Sequence, residues 1–264
     1  MEKVQKTPFT LIIGIALLLI GAITALLSHN NATLEEATDS AKMLYALSLI
    51  ASTIGIITTI SAAHSLSVFR QDAKMNTKTL AQAALCAALC YIGFTFFKID
   101  IPVGTEKTAI HFGNIFCVLA ALLIGGFWGG MAGAVGMTIA DLTTSYVTSA
   151  PKTFVLKLCI GLIVGLVAHK ILKLSEEHDK KYVTLATIGA SAAGMIFNRL
   201  ADPVIGYFYK TYLLGVPQDL AKVLAKIGTA TTAVNAITTI IISSLLYLAL
   251  RPALKKSDLF IHVN

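Results

Sequence analysis

Charged side chains are scarce in this sequence. Asp, Glu, Lys and Arg together make up 13% of its 264 residues, about half the share found in soluble chains. A water-soluble body of that composition would have to expose much of its apolar surface, which soluble proteins avoid, so a soluble reading is excluded. Cysteine is also sparse. Cys86, Cys90, Cys117 and Cys159 all lie inside apolar runs, with no CxxC pair and no histidine cluster nearby. Neither a disulfide framework nor a metal centre is expected. There is no GxxxxGK[ST] phosphate loop, no HExxH and no GxSxG segment, so ATP hydrolysis through a phosphate loop and the corresponding hydrolase chemistries have no carrier here. The sequence points to no enzyme activity and no cofactor.

What the chain has is long apolar runs. Its apolar fraction is 56% and its mean hydropathy +0.76. A membrane span takes about 20 mostly apolar residues, and eight stretches qualify or nearly qualify: 9–28, 43–68, 79–97, 111–125, 127–147, 153–173, 183–212 and 225–250. The first is too long in its apolar part for a signal peptide and reads as a retained anchor. A Gly-Gly-Phe-Trp-Gly-Gly segment, Gly125 to Gly130, predicts a tight helical hairpin between the fourth and fifth. The net charge of +7 suggests topology rather than nucleic acid, because the cations fall between the spans. With the N-terminus in the cytoplasm, Lys3, Lys6, Arg70, Lys74, Lys78, Lys170, Lys173, Lys180, Lys181, Arg251, Lys255 and Lys256 lie inside. Fewer, among them Lys42, Lys98, Lys107 and Lys152, lie outside. This bias predicts that both termini are cytoplasmic. The polar stretch 71–78 predicts a boundary between a two-span unit, 1–72, and a six-span body, 73–264. The expected fold is all-α and integral to the membrane.

Ionisable groups within spans are costly and mark pathways or pockets. Asp141 and Lys157 lie on consecutive antiparallel helices, each about six residues, or roughly 9 Å, from the outer end. Either they contact a substrate, or they form a buried pair that fastens two helices. Arg199 and Asp202 stand at i,i+3 and can pair, with Pro203 and Gly206 following as possible breaks. Asn235 lies in the outer half of the last span, and His111 and Asn114 open theirs at the outer surface. These groups, with Tyr146, predict an outward-facing pocket. The inner half is rich in small residues. Ala81, Ala84 and Ala88 form a face on the first body helix, and glycines pair as Gly126-xxx-Gly130, Gly129-xxx-Gly133 and Gly161-xxx-Gly165. Such faces serve either packing within the chain or docking of another membrane subunit.

Several of these stretches, taken in order, resemble a known family. They are the Ala-rich helix Leu80–Leu89, the loop Ile101-Pro-Val-Gly104, and His111-Phe-Gly-Asn-Ile115. They continue with the glycine block from Gly125 to Gly136, Ala140-Asp-Leu142, Tyr146, and Ala150-Pro-Lys-Thr153 with Lys157. In sequence and spacing, 79–252 resembles the substrate-binding S component of energy-coupling factor (ECF) vitamin transporters, nearest the riboflavin and hydroxymethylpyrimidine branch. The resemblance implies a six-helix S-component bundle in a bacterial cell membrane, here preceded by two extra spans. It also implies that the Ala face docks on a transmembrane coupling subunit carried by two cytoplasmic ATPases, and that the loop 98–110 gates the pocket. The residue types suit a small polar heteroaromatic, pyridoxine-like or hydroxymethylpyrimidine-like, and do not exclude riboflavin. The competing readings are a stand-alone secondary transporter of a small polar metabolite and a non-transport membrane assembly subunit.

Overall fold

The computed structural model describes residues 76–104 and 106–263, together with Ile13, Ala16, Leu17, Ile20 and Thr24. The two expected N-terminal spans otherwise lie outside the described residues. The chain divides into two compact units, Met1–Arg70 with Lys210–Val216, and Gln71–Tyr209 with Pro217–Asn264. The second unit carries six α-helices among its described residues.

Helix α1, Thr77–Thr95, starts where the Asn76 side chain accepts from the Thr79 amide at 2.8 Å, an N-cap that satisfies one of the free donors of the first turn. Strand β1, Lys98–Val103, then pairs antiparallel with β2, Glu106–His111, in a register running from Lys98 opposite His111 to Val103 opposite Glu106. The segment expected as a loop is thus a β-hairpin. Its turn includes Gly104 at φ +61°, a left-handed conformation that glycine adopts without steric cost.

Helix α2, Gly113–Ile124, and helix α3, Gly126–Leu142, follow. The turn between them is shorter than the six-residue segment suggested. Gly125 alone makes it, at φ +90°, and Gly126–Gly130 already form the first turn of α3. Those glycines serve contact rather than bending. A methyl group at Gly129 would overlap the backbone of Ala121, one at Gly161 the backbone of Gly130, and one at Gly165 that of Gly126. A methyl at Gly136 would overlap the Ala87 carbonyl. The glycine pairs therefore pack within the chain, letting α1 to α4 approach backbone to backbone.

Helix α4, Ala150–Gly165, widens into a π-helical turn, Leu166–Ile171. Helix α5, Lys180–Phe208, is capped by Asp179. It passes through Pro203 without a break and continues as a π-helical turn, Tyr209–Leu213. Helix α6, Gln218–Lys256, is the longest among the described residues.

Among the described residues, four helical stretches are long and apolar enough to cross a membrane: Thr77–Thr95, Val147–Ile171, Lys180–Leu213 and Gln218–Lys256. The sequence also offered 111–125 and 127–147 here, the first of them short. Instead α2 has 12 residues, about 18 Å at 1.5 Å per residue. All but one of its residues are buried, so it is an interior helix rather than one facing lipid.

The end of the body opposite the hairpin is closed by other groups. His169 Nε2 meets the Ala121 carbonyl at 3.0 Å, and His169 Nδ1 meets Ser175 Oγ at 3.0 Å. The C-terminal tail folds back, burying Phe260, Ile261 and Val263, with the Val263 amide donating to Ser175 Oγ. Lys78 and Gln82 of α1 donate to tail carbonyls at Asp258 and Leu259. Nothing in the sequence pattern beyond 250 announced this tail.

Candidate functional site

The site lies under the hairpin, where α1 to α6 each bring a polar or aromatic group to a similar level. On α1, Phe94 is buried and meets His111 edge-on at 4.8 Å and Tyr146 at 5.5 Å. His111 ends β2, so the hairpin itself forms the roof. On α2, Asn114 is 1% exposed. One turn below it Cys117 Sγ lies 3.7 Å from the Lys157 carbonyl, which brings α4 alongside. On α3, Met137 lies where a methyl group at Gly113 of α2 would meet it, and one turn toward the hairpin stands Asp141, also 1% exposed. Thr153 and Lys157 are its close polar neighbours.

Lys157 is 7% exposed, and among the described residues its ammonium makes no ion pair within 4 Å. Its electrostatic neighbours are Asp202, Lys152 and Asp141. Asp141 and Lys157 thus lie near each other without the direct pair that was one of the two sequence readings.

Asp202 does pair, at 2.7 Å, but with Lys152 of α4 rather than with Arg199. The expected i,i+3 pair does not form, because the α4 lysine reaches Asp202 directly. Arg199 is half-buried and makes no ion pair with a described residue.

A further residue joins the ring, Asn198 on α5. A methyl group at Gly194 would press on Val164 and Ile160 of α4. One turn toward the hairpin from that contact, Asn198 stands at the level of Lys157, 1% exposed. In the sequence it stood beside the louder charge of Arg199. The usable signal was its i+4 spacing to Asp202, which puts both on one face.

Four buried polar atoms of this ring have no partner among the described residues: His111 Nδ1, Asn114 Oδ1, Asp141 Oδ2 and Asn198 Oδ1. Buried polar atoms are nearly always bonded. Several such atoms converging from the hairpin, α2, α3 and α5 beside a buried ammonium make a set able to hold a small polar molecule.

Residues 74–252 match the sequence profile of the family described as ECF-type riboflavin transporter, S component. The chain belongs to this family. A protein of Pyrococcus woesei, described as an uncharacterized protein in a gap 3' region, is 38% identical over 71 residues, which are 27% of this chain and 47% of that protein. The chain thus matches about half the length of that curated relative. No solved structure matches the chain.

In this S component, two of the residues expected in the pocket, Asn235 and Tyr146, bond to the hairpin. Asn235 engages both ends of its amide on the hairpin. Its Oδ1 accepts from the His111 backbone amide at 3.0 Å, and its Nδ2 donates to the Ala109 carbonyl at 3.1 Å. Thr231, one turn earlier on α6, meets Thr108 at 3.3 Å. On the other flank, Tyr146 donates to Asp100 of β1 at 2.9 Å. Its ring lies under the ammonium groups of Lys98 and Lys107, at 4.8 and 5.4 Å, a favourable cation–π arrangement. The post that carries Tyr146 is held in turn by Tyr209, which donates to the Thr148 carbonyl at 2.8 Å.

The helix α1 separates its small residues into two faces. Ala83, Cys86 and Cys90 are buried in the bundle, whereas Ala81, Ala84 and Ala88 are exposed.

Proposed function

We propose that this chain is the substrate-capturing subunit of an ECF-type importer and binds an N-heteroaromatic vitamin or vitamin precursor under its hairpin. The observation that supports this reading is that His111 Nδ1, Asn114 Oδ1, Asp141 Oδ2 and Asn198 Oδ1 are all buried and, among the described residues, without a partner, on elements that pack beside the helix carrying Lys157, whose ammonium makes no ion pair with a described residue. Three amide or carboxylate oxygens ask for donors, and one cation asks for an acceptor. A ring with N–H or O–H groups along one edge and a ring nitrogen or carbonyl on another answers both. Riboflavin, which the family description names, a pyridoxine-type ring and a hydroxymethylpyrimidine each carry that complement. Phe94 supplies an apolar wall, and Asp202 with Lys152 closes the rim.

In this reading the hairpin faces outward, both termini are cytoplasmic and the protein resides in a bacterial cell membrane. The exposed Ala81, Ala84 and Ala88 face is the surface for a transmembrane coupling subunit bearing two cytoplasmic ATPases, which supply the energy that this chain has no motif to harvest. Residues 1–72 are a two-span membrane extension of the chain.

The test is a thermal-stabilisation screen of the purified chain against riboflavin, pyridoxine and hydroxymethylpyrimidine. A ligand at 100 times its Kd adds about 2.7 kcal/mol of stability, a shift of a few degrees. A shift with one of the three, lost in Asp141→Ala and Lys157→Ala variants that remain folded, is the expected result. No shift with any of them would refute the assigned ligand class, and uptake by this chain alone driven by an ion gradient would refute the ATP-coupled role.

A further inference from the structure

Asn114, Asp141, Asn198 and the His111 ring edge are buried, so a molecule can reach them only if some element moves aside. The helices are the least able to yield. Methyl groups at Gly129, Gly136 and Gly161 would overlap Ala121, Ala87 and Gly130, and contacts packed that closely slide only with strain. At the hairpin end, α5 is fastened to α4 and its approach by the Lys152–Asp202 ion pair at 2.7 Å and by the Tyr209 hydroxyl, which donates to the Thr148 carbonyl at 2.8 Å.

The hairpin is held on both flanks, but unequally. β2 is seated on α6. Asn235 accepts from the His111 amide and donates to the Ala109 carbonyl, both bonds buried, so its amide pairs with the free edge of β2 much as a third strand would. Thr108 adds a contact to Thr231 at 3.3 Å, and a methyl group at Gly104 would meet Leu220 of α6. β1 has far less. Ile99, Asp100 and Pro102 are exposed, and a proline has no amide to offer a neighbour. Among the described residues, one side-chain hydrogen bond ties β1 to the connection between α3 and α4, from Tyr146 to Asp100, with Lys98 lying over the same tyrosine ring. The Asp100 side chain is 38% exposed, so water competes for it. Phe96 and Phe97, which link α1 to β1, are exposed as well and can turn without disturbing a packed core.

A net hydrogen bond is worth roughly fivefold in an equilibrium. With three side-chain bonds on one flank and one on the other, parting β1 from Tyr146 is favoured over parting β2 from α6 by roughly 25-fold.

We propose that the hairpin is a one-sided lid: β2 stays on α6 as the axle, β1 swings away from Tyr146, and the ligand enters through the slot between Asp100 and Tyr146. The pairing of the two strands is kept, so the hairpin rolls as one body, and Phe96 and Phe97 take up the rotation. A ring entering there passes Tyr146 first, with Asp141 close behind it. The inference rests on the buried polar ring being the binding site and does not depend on which ligand it takes.

Thiol labelling of the full chain tests it without a ligand. Asn198→Cys places a reporter thiol in the ring, and the probe is the water-soluble reagent methanethiosulfonate ethyltrimethylammonium. Mass spectrometry reads the labelling rate at position 198 against that of the buried native Cys117. Where the lid recloses faster than the reagent reacts, that rate follows the open fraction. Thr108→Cys with Thr231→Cys, placed where the two hydroxyls lie 3.3 Å apart, lets a disulfide weld β2 to α6. Labelling of the reporter is expected to agree within about threefold between the oxidised and reduced forms, because an axle does not move, and a larger fall on oxidation would overturn the proposal. Tyr146→Phe, added to the reporter alone, is expected to raise the rate about fivefold, the worth of one net bond. An unchanged rate would equally overturn it, and this conservative variant decides the matter if the disulfide does not form. A reporter that labels no faster than Cys117 in every variant would refute the binding site itself, whereas fast labelling that falls when β2 is welded refutes only the one-sided lid.

Discussion

Asn235→Ala is expected to loosen the roof of the pocket without unfolding the body. The side chain holds two backbone groups of β2, the His111 amide at 3.0 Å and the Ala109 carbonyl at 3.1 Å. Alanine leaves both unbonded for as long as the hairpin stays closed. Each buried unsatisfied backbone group costs about 1–3 kcal/mol, which sets a range of about 2–6 kcal/mol for the pair. The lower end applies, because the hairpin can lift and let water reach both groups. At about 1.4 kcal/mol per tenfold, a loss of about 2–3 kcal/mol raises the open fraction by roughly 30- to 150-fold. Hydrogen exchange followed by mass spectrometry reads this directly and needs no ligand. The His111 amide is protected only while Asn235 holds it, so peptides covering 106–112 should exchange faster by that factor while peptides of α2 stay unchanged. Asn235→Asp, which keeps an acceptor for the His111 amide but loses the donor to Ala109, should fall between. An exchange rate within about threefold of wild type in the alanine variant, well short of what two lost bonds imply, would refute the assignment of Asn235 to the roof.

Tyr146→Phe removes the single hydrogen bond to Asp100 but keeps the ring beneath Lys98 and Lys107, so rates of ligand entry and exit should both rise while Kd changes by less than about fivefold, the worth of one part-exposed bond; stopped-flow measurements report the split. Gly161→Ala forces a methyl group onto the Gly130 backbone, and since neither helix can move without disturbing Gly126 and Gly165, the cost should exceed about 3 kcal/mol, seen as a collapse of thermal stability. Truncation after Lys256 removes the buried Phe260, Ile261 and Val263 and should destabilise the body by a few kcal/mol at about 1.5–3 kcal/mol per buried side chain, while ligand affinity in the remaining folded fraction is retained. At the same end, the Lys255 ammonium holds the Glu177 carboxyl below its ordinary range. The contribution of that exposed pair is therefore fully present above the usual glutamate pKa and fades as pH falls through the lowered value; Glu177→Gln should lower thermal stability by a constant small amount around neutrality and converge with wild type in acid, and a difference that grows as pH falls would contradict it.

Much of this protein was written in one dimension. Composition alone required a lipid environment, because no fold can hide that much apolar surface from water. The ordered motifs carried the family, and the rarity of ionisable groups in the spans made Asp141, Lys157 and Asp202 stand out. The sequence grouped Ala81, Ala84 and Ala88 on α1, while the burial of Ala83, Cys86 and Cys90 on the other side became visible only in the folded bundle. Other features depended on distance between segments far apart in sequence. Whether Asp202 pairs with Arg199 three residues away or with Lys152 fifty residues back is a question of which helix lies alongside, and α4 does. Asn235 looked like a pocket residue because helical spacing fixes its depth; that it grips the hairpin follows from where β2 crosses α6. Asn198 became visible only when the Gly194 contact brought α5 against α4. The glycines between 125 and 136 could equally have faced a partner subunit, and only the backbone of Ala121, Gly161 and Gly165 lying against them showed that they pack within the chain. Sequence determined the solvent, the helices and the family, because those depend on local pattern summed along the chain. Tertiary structure decided which polar groups are mutually satisfied and which stay unpartnered among the described residues, because hydrogen bonds depend on a few tenths of an ångström between residues that the sequence holds far apart.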